Sequence, residues 1–568
     1  MIASTLCAGL MSLCAAAPGQ TASGEVVGSQ KISALQGGLP PGISTPGSTF
    51  GQGVAVLGDI DGDGTIEVAV SELSPSSGVV WILSLASDGT VAAAHAIAEG
   101  VGGFQGDLSP GDLFGLGLAA IGDLDGNGVV DLAVGAPGDD SGGSFPDVGA
   151  VWILFLDATG QVLNAVKWGA PVGDGFVPGV YADDNFGLSM ANLGDLNGDG
   201  LCELAVGAFN DGITGDGLGS ARVFFMQSDG YFSNVSLITN GFGGFGNHLQ
   251  DNDHFSQVGA LGDFNGDGIP DLMVGSPYDD DGEATSQFAG PGAVWLLMLD
   301  AAGAVTSHFK ISDTAGEFAS PLGANDRWGM SATAVGDLDG NGVIDLAVGS
   351  QNDLFSPTNA GAVWILFMES DGTVRSHSKV GAQQGGFTGL LKAGDSFGSS
   401  VASLGDLNGD GVIDLLVAAT GDDDADSGSS FTNSGAVWVL FLNDGYVPWD
   451  ATGAGVPGTA GTPELWGTGS LQPGPYAVHL ADALPNGAVY FVIGLTSLNL
   501  PFKNGLLVPN PDIILGGLQA DGNGELTLGG VWPAGIPAGV TAFTQFWVAD
   551  PAASVGFAST NGLGLTTP

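Results

Sequence analysis

The sequence predicts an all-β protein: a six-bladed β-propeller followed by a small C-terminal β-sandwich. One observation is a unit that recurs six times, at intervals of 64 to 74 residues, along the 568-residue chain. A second is that each unit holds four short segments rich in β-branched and aromatic residues, without helical periodicity. Four antiparallel strands per repeat, with Gly and aromatic residues at fixed places, are typical of propeller blades. A degenerate seventh blade stays open as an alternative.

Each unit starts with an aromatic residue that Gly or Ser follows, near residues 50, 114, 186, 255, 328 and 397. In the second unit the predicted strands are Gly115–Gly122, Asp131–Gly135, Ala150–Asp157 and Val162–Trp168. The turn DATGQ between the last two, like SDGT at 87–90 in the first unit, is a hairpin signal. One unit therefore predicts one blade.

The two ends of the repeat region complement each other. The sixth unit lacks a fourth strand after Val437–Leu442, whereas residues 28–33 look like a fourth strand without the first three. We predict that residues 28–33 complete the sixth blade and close the ring, which leaves no raw strand edge. The predicted propeller covers residues 24–449.

Three further segments flank the repeats. Residues 1–23 contain an apolar run followed by small residues, typical of a secretory signal peptide. Residues 450–463 are rich in Gly, Pro and Thr and are predicted to be a linker. Residues 464–568 hold short apolar segments between Gly/Pro turns and predict the β-sandwich. No later apolar stretch has the length of a membrane span, so no transmembrane segment is expected.

The charge of the chain restricts its partners. Sixty-one acidic residues against nine basic ones give a formal net charge of -52. This charge argues against nucleic acid and anionic lipid as partners and favours cations. Hydrophobic residues make up 44% of the chain, so the acids do not indicate a disordered tail. Of three cysteines only Cys202 lies outside the predicted signal peptide, so no disulfide framework is expected.

An Asp/Asn ladder lies between the first and second strands of each unit, with the form Asp-x-Asp/Asn-x-Asp/Asn-Gly-x-x-Asp/Glu. We call these segments loops 1 to 6 and number their positions from the first Asp. Oxygen side chains at positions 1, 3, 5 and 9, a Gly at position 6 and a main-chain carbonyl at position 7 suit a hard cation of flexible geometry. The density of carboxylates favours calcium over magnesium, and the absence of His and Cys ligands disfavours zinc.

The sequence therefore predicts about six Ca²⁺ ions per chain. The predicted ligands are Asp59, Asp61, Asp63, Thr65 and Glu67 in loop 1; Asp123, Asp125, Asn127, Val129 and Asp131 in loop 2; Asp195, Asn197, Asp199, Leu201 and Glu203 in loop 3; Asp263, Asn265, Asp267, Ile269 and Asp271 in loop 4; Asp337, Asp339, Asn341, Val343 and Asp345 in loop 5; and Asp406, Asn408, Asp410, Val412 and Asp414 in loop 6. Runs of Asp, Asn and Gly also form plain turns, an alternative that six copies with an acid at position 9 disfavour.

The pattern FGxxxAxxGDxxGDGxxDLxVGAP, at residues 114–137 and 186–208, resembles the FG-GAP repeat of integrin α-subunit propellers. The resemblance covers residues 25–449 and is closest in type to secreted bacterial proteins. It implies a β-propeller, calcium in the loops and ligand recognition of the kind used in adhesion. The chain departs from integrins in having six such repeats where they have seven. The first copy also departs in ending Ser71-Glu72-Leu73 in place of Gly-Ala-Pro.

We predict a secreted or cell-surface, non-enzymatic module that binds an extracellular protein or glycan. Long connections between second and third strands, such as residues 138–149, are predicted to lie on the face opposite the loops and to carry recognition. Asp139 and Asp140 are candidate contributors there. A carbohydrate-active enzyme that uses acids on this face remains an alternative, as does a purely structural exoprotein.

No catalytic residue is predicted. The Gly-x-Ser-x-Gly segment Gly394–Gly398 overlaps the start of a repeat and is not followed by the helix that a nucleophile elbow requires. His308 and His377 occupy matching fourth-strand positions, which indicates a structural role. Cys202 takes a place that is apolar in other copies and is predicted to pack.

Overall fold

The structure is a computed structural model, and every element in its described part is a β-strand. It describes residues 24–566 apart from 74–76, 141–145, 170–176, 212–216, 282–289, 319, 321, 354–358, 424–432, 444–448, 453–458, 460–462, 469–474, 482, 495–496, 503–504, 510–512, 522–525, 532–540, 554–556 and 561. The predicted signal peptide, residues 1–23, lies outside the described residues. The described residues form two compact units that divide after residue 445.

Six four-stranded antiparallel sheets make up the first unit, and five of them are consecutive in the chain. Blade 1 contains β2 Val54–Gly58, β3 Ile66–Glu72, β4 Val79–Leu85 and β5 Val91–Ile97; blade 2 contains β6 Leu118–Ala120, β7 Leu132–Ala136, β8 Ala150–Leu156 and β9 Val162–Trp168; blade 3 contains β10 Phe186–Gly194, β11 Glu203–Ala208, β12 Ser220–Met226 and β13 Phe232–Ile238; blade 4 contains β14 Gln257–Gly262, β15 Asp271–Ser276, β16 Ala293–Leu299 and β17 Val305–Ile311; and blade 5 contains β18 Trp328–Ala334, β19 Leu346–Ser350, β20 Ala362–Met368 and β21 Val374–Gly381.

The sixth blade joins both ends of the unit. It contains β22 Phe397–Gly405, β23 Asp414–Ala419, β24 Ala436–Leu442 and the N-terminal strand β1 Val26–Ile32. β1 runs antiparallel to β24, with Gln30 opposite Val439. A strand from the start of the chain therefore occupies the outer place of the last blade.

The first strands of all six blades surround an axial cavity of about 430 Å³. Its lining includes Gln52, Leu116, Leu188, Gln257 and Met330, and no charged side chain of the described residues takes part. The repeat pattern, the sheets and this shared cavity confirm the predicted β-propeller fold.

Hydrophobic side chains fill the spaces between neighbouring blades. Phe114 at the start of the second unit is fully buried, and it stacks on Phe104 at a centroid distance of 5.1 Å. Trp152 of β8 meets Phe104 edge-on at 5.0 Å. Gly135 of β7 lies so close to the next blade that a Cβ atom there would come within 1.9 Å of the Gly187 carbonyl oxygen. The aromatic–Gly start and the Gly of the second strand thus fix the blade-to-blade distance.

The second unit contains two larger sheets and a hairpin. Its strands are β25 Trp449–Thr452, β26 Glu464–Thr468, β27 Pro475–Ala481, β28 Ala488–Gly494, β29 Ser497–Phe502, β30 Gly505–Pro509, β31 Ile513–Gln519, β32 Leu526–Val531, β33 Thr541–Ala549, β34 Phe557–Ser559 and β35 Gly562–Thr566. One sheet has the order β25-β35-β33-β28-β31, with β34 also on β33, and the other has β26-β27-β32. Val478 and Leu480 of the smaller sheet share one core with Val489 and Phe546 of the larger. Residues 449–452, assigned from the sequence to the ring's end and the linker, form an edge strand of this unit.

Candidate metal centre

The loops connect the first and second strands of the six blades, and all six have the same hydrogen-bond pattern. The carboxylate at position 1 accepts a hydrogen bond from the backbone N–H of position 6 in every loop, over 2.7 to 3.0 Å. The Gly at position 6 has a φ between 84° and 93° in all copies, a region that L side chains rarely adopt. The loop can curl around its first carboxylate because this position is Gly.

Positions 3 and 5 extend the same pattern. The side-chain oxygen at position 3 accepts from the N–H of position 5 at 2.8 to 3.2 Å in all six loops. The oxygen at position 5 accepts from the N–H of position 7 at 2.7 to 2.9 Å. These are local Asx-type turns, which orient the oxygen side chains without the help of an ion. That the position-7 carbonyls act as ligands stays a prediction.

The acid at position 9 lies at the start of the second strand or next to its first residue, and it is buried in every copy, with at most 3% of its surface exposed. One of its oxygens accepts from the N–H of position 2 at 2.6 to 3.1 Å. Burial raises the pKa of Asp131, Asp271 and Asp345 to about 6, and the pKa of Glu203 and Asp414 to about 7. The backbone hydrogen bonds lower these pKa values but only partly compensate the effect of burial.

Asp and Glu use the second oxygen of position 9 differently. In loop 2 the Asp131 Oδ1 atom accepts from Leu156 N–H, at the end of the third strand, at 2.9 Å. Loops 4, 5 and 6 repeat this contact. The longer Glu side chains turn this oxygen back into the loop, where Glu67 Oε1 accepts from the Thr65 hydroxyl at 3.0 Å and Glu203 Oε1 from the Asn197 amide at 2.9 Å. In loops 2, 4, 5 and 6 the Asp at position 9 therefore joins the loop to the third strand as well as adding a carboxylate.

Three loops bring three carboxylates to within 4.8 Å of one another. They are Asp59, Asp61 and Glu67 in loop 1, Asp123, Asp125 and Asp131 in loop 2, and Asp337, Asp339 and Asp345 in loop 5. The other three loops carry Asn at position 3. There the amide nitrogen donates to the carboxylate at position 5, as from Asn197 to Asp199 at 3.0 Å. The amide places partial positive charge where the other loops place a third carboxylate.

The donor set fits a hard divalent cation. All the side-chain ligand candidates are oxygen atoms, and one carboxylate per loop is buried, with a raised pKa wherever a shift is resolved. A buried carboxylate that lacks a counter-charge is costly, so a cation among these oxygens would favour its ionised form. Loops 1, 2 and 5 present these carboxylates directly, whereas loops 3, 4 and 6 would need the position-3 amide to rotate its oxygen inward.

The opposite face holds a repeated feature that the sequence interpretation missed. Blades 2 to 6 each hold an ion pair between a basic side chain and a buried Asp, the first Asp after the second strand. The pairs are Lys167–Asp139 at 2.5 Å, Arg222–Asp211 at 3.0 Å, Lys310–Asp279 at 2.8 Å, Lys379–Asp353 at 2.5 Å and Lys31–Asp422 at 2.7 Å. These ion-pair clusters use five of the nine basic residues of the chain.

In blades 2, 4 and 6 the cluster also contains a second buried Asp, and in blades 2, 4, 5 and 6 it contains a Trp. Lys310 Nζ lies 5.3 Å from the ring of Trp295, its cross-strand neighbour, and also pairs with Asp281 at 2.5 Å. Asp253, two residues before Phe255, is buried beside this group, and burial followed by the charge of Asp279 raises its pKa to about 7. In blade 1 Ala96 stands at the position that lysine has in four other blades, and the Trp81 indole donates a hydrogen bond to Glu72 at 2.8 Å.

This finding corrects the expectation for Asp139. Asp139 is 3% exposed and pairs with Lys167, so it cannot contact a ligand as the recognition prediction required. Asp140 is exposed and accepts a hydrogen bond from Asp147 N–H at 3.0 Å. The base of the connection is also fixed, because Gly149 N–H donates to the Asp139 carbonyl at 3.1 Å. Asp139 therefore holds the base of this connection.

The other polar residues singled out in the sequence have structural positions. Ser396 has a φ of 58°, shared by Leu113, Asn185 and Arg327 in the same place, and precedes strand β22. Cys202 donates to the Ile121 carbonyl, and burial raises its pKa to about 12, which leaves the thiol unreactive at neutral pH.

No helix long and apolar enough to span a bilayer occurs in the described part of the chain.

Comparison with known proteins identifies the repeat. The FG-GAP repeat family matches residues 114–154, 255–297, 330–366 and 397–440. Integrin alpha-PS2 of Drosophila melanogaster is 39% identical over 113 residues, which are 19% of this chain and 7% of that protein. Human integrin alpha-IIb is 27% identical over 249 residues, 42% of this chain and 20% of that protein.

The likeness extends beyond integrins. Bovine phosphatidylinositol-glycan-specific phospholipase D is 32% identical over 163 residues, 28% of this chain and 18% of that protein. The chain thus spans a fifth or less of the length of these three relatives. The shared part is the repeat region, so the similarity concerns the propeller and not the remainder of those proteins.

Proposed function

We propose, from the premise that this chain carries FG-GAP repeats and is integrin-like, that it is a secreted, calcium-binding β-propeller that recognises an extracellular protein or glycan without catalysing a reaction. The observation that carries the calcium part is the sixfold repetition of one oxygen-rich loop with a buried acid at position 9. A plain turn does not require a buried carboxylate, whereas a cation bound among these oxygens would compensate the charge of one.

Calcium would act in this proposal as a structural ion. Each loop closes the end of its blade, and in loops 2, 4, 5 and 6 the position-9 Asp accepts hydrogen bonds from the backbone of both the loop and the third strand. An ion that binds only the folded protein stabilises it by about 2.7 kcal/mol per site at a concentration of 100 Kd. Six such sites would make the propeller strongly dependent on calcium.

Recognition is assigned in the proposal to the face opposite the loops. Long connections on a rigid scaffold are where binding residues usually lie. The ion-pair clusters hold the base of these connections, as Asp279 does by pairing with Lys310 and accepting from Gly292 N–H at 3.1 Å. Residues 141–145, 282–289 and 424–432, in the middle of three connections, lie outside the described residues.

Two measurements test the calcium part. Elemental analysis of the desalted full chain should find about six calcium ions, and EGTA should lower the melting temperature by many degrees. Magnesium at the same concentration serves as the control and should restore much less stability. One calcium ion or none, together with an unchanged melting curve in EGTA, would exclude this function.

A binding screen tests the recognition part. The full chain should bind a glycan or an extracellular protein on arrays, and replacement of residues 141–145 by a Gly-Ser segment of equal length should weaken binding without changing stability. A parallel panel of glycosidase, lyase and phospholipase substrates should show no turnover. Turnover that disappears on replacing an exposed acid, Asp140→Ala for example, would favour the enzyme alternative.

A further inference from the structure

Loops 2 and 5 are an internally matched pair. Residues 122–135 read GDLDGNGVVDLAVG and residues 336–349 read GDLDGNGVIDLAVG, so one methylene group distinguishes them. Asn127 donates to the Leu156 carbonyl at 2.9 Å, and Asn341 donates to the Met368 carbonyl at 2.8 Å. Both loops bring three carboxylates together. Their own residues give no reason for different cation affinities.

The neighbouring strand distinguishes the two loops. Leu156 is opposite Val162 at a bulge in blade 2, and Met368 is opposite Val374 at the same bulge in blade 5. The next residue is Leu163 in blade 2 and Arg375 in blade 5, both exposed. The equivalent residues of the other blades are uncharged: Ala92, Ser233, Thr306 and Val27.

Arg375 reaches the acids of loop 5. Its Nη2 atom contacts Asp339 Oδ2, the side chain at position 3, and its Nε atom lies 3.8 Å from Glu369 Oε1. The Asp339 side chain is only 8% exposed, whereas its counterpart Asp125 is exposed. Among the ion pairs of the described residues, no other joins a basic side chain to a loop acid.

We propose that Arg375 is an internal competitor for calcium at loop 5, which makes this loop a weaker cation site than its matched partner, loop 2. The guanidinium already neutralises one of the three carboxylates, and a Ca²⁺ ion must displace it or accept a positive charge beside it. Loop 5 should therefore bind calcium roughly tenfold or more weakly than loop 2, because cation affinity depends on ligand charge. This inference rests on the proposed calcium function.

The consequence is a two-step response to calcium. Loop 2 would fill first, and loop 5 would fill only at higher calcium concentration. In the calcium-free protein the arginine would replace part of the missing positive charge, so loop 5 would stay closest to its bound arrangement.

The test is a calcium titration of the calcium-free full chain by calorimetry, with bound ions counted by native mass spectrometry at buffered free calcium. Wild type should show at least one site weaker than that of loop 2. Arg375→Leu, which copies blade 2, should convert one weak site into a tight one. Leu163→Arg, which copies blade 5, should convert one tight site into a weak one. Both substitutions are at exposed positions, so folding should be preserved.

Asp337→Ala locates the weak site. It should remove only the weak step, and adding Arg375→Leu to it should change nothing further. An unchanged titration in Arg375→Leu would overturn the inference, as would loss of a tight site in Asp337→Ala. Absence of calcium binding in wild type and all variants would overturn the proposed function itself. Six sites of equal affinity in wild type would overturn only the inference about Arg375.

Discussion

Asp131→Ala separates the two roles that the structure gives to position 9. The Asp131 side chain is fully buried and accepts hydrogen bonds from Leu124 N–H at 3.0 Å and from Leu156 N–H at 2.9 Å. Alanine leaves both donors buried without an acceptor. The substitution should therefore lower stability even when every other loop is saturated with calcium, because the lost hydrogen bonds belong to the blade and not to the ion.

The magnitude follows from two opposing terms. Each unsatisfied buried N–H costs about 1–3 kcal/mol, so the two together cost about 2–6 kcal/mol. Without calcium at pH 8, the substitution also removes a buried ionised group whose pKa is raised to about 6. Removing this charge should stabilise the folded state by on the order of 3 kcal/mol, since each pKa unit corresponds to about 1.4 kcal/mol. In chelator the two terms largely cancel, so the free energy of unfolding should fall only slightly. In calcium the bound ion already compensates the charge of Asp131, so the full cost of the two lost hydrogen bonds should be measured.

Asp123→Ala in the same loop is the matched control. Asp123 is exposed, and its one contact with Gly128 N–H at 2.9 Å can be replaced by water. Its loss should matter only through the ion, and it should not reach the cost of Asp131→Ala at saturating calcium. The assay is urea unfolding of each variant with calcium in excess and with EGTA, at pH 8. Equal losses for the two variants in excess calcium would refute the hydrogen-bond role of Asp131.

Three further predictions concern the rest of the propeller. Lys310→Met should lower the free energy of unfolding by about 3 kcal/mol in urea titrations, because it leaves Asp279 buried without its cation; a variant as stable as wild type would contradict the role of the cluster. Gly135→Ala should destabilise the ring, since its Cβ would lie 1.9 Å from the Gly187 carbonyl oxygen, and a melting temperature equal to that of wild type would contradict the blade spacing. Burial raises the pKa of Asp395 to about 7, so the folded state binds more protons than the unfolded state between pH 4 and 7. The stability that this group contributes should therefore fall as pH rises through that range. Asp395→Asn should reduce this fall in calorimetric scans, and an unchanged slope would contradict the assignment.

The parts of the fold that the sequence predicts well are those specified locally. A loop is determined within nine residues by the Gly at position 6 and by Asx turns between near neighbours, so its shape can be deduced from the ladder alone. The strands follow from short β-branched and aromatic runs such as Ala150–Leu156, which is buried along its whole length. The ligand set and the number of bound ions remain predictions, because they depend on whether the amides of loops 3, 4 and 6 rotate.

The ion-pair clusters were missed because their members are far apart in the chain. Lys31 and Asp422 are 391 residues apart, and Asp139 lies in a GDD run that is equally typical of an exposed turn. A usable signal was nevertheless present. In a chain with nine basic residues, four lysines fall at one place in the fourth strand, each opposite the Trp of the third strand. Such regular placement of a rare residue type indicates a buried role.

Blade 3 shows that the positive charge at this point can come from a residue other than lysine. Its third strand carries Arg222 where the other blades have Trp, and its fourth strand carries Leu237 where blades 2, 4, 5 and 6 have Lys. The guanidinium is 1% exposed and donates to Asp211 at 3.0 Å, to Ser220 and to the Gly179 carbonyl. In blade 3 the basic residue lies on the third strand and an apolar residue lies on the fourth, and the cation still pairs with the Asp. In blades 2 to 6 the buried Asp after the second strand is therefore paired with one cation, whichever strand supplies it.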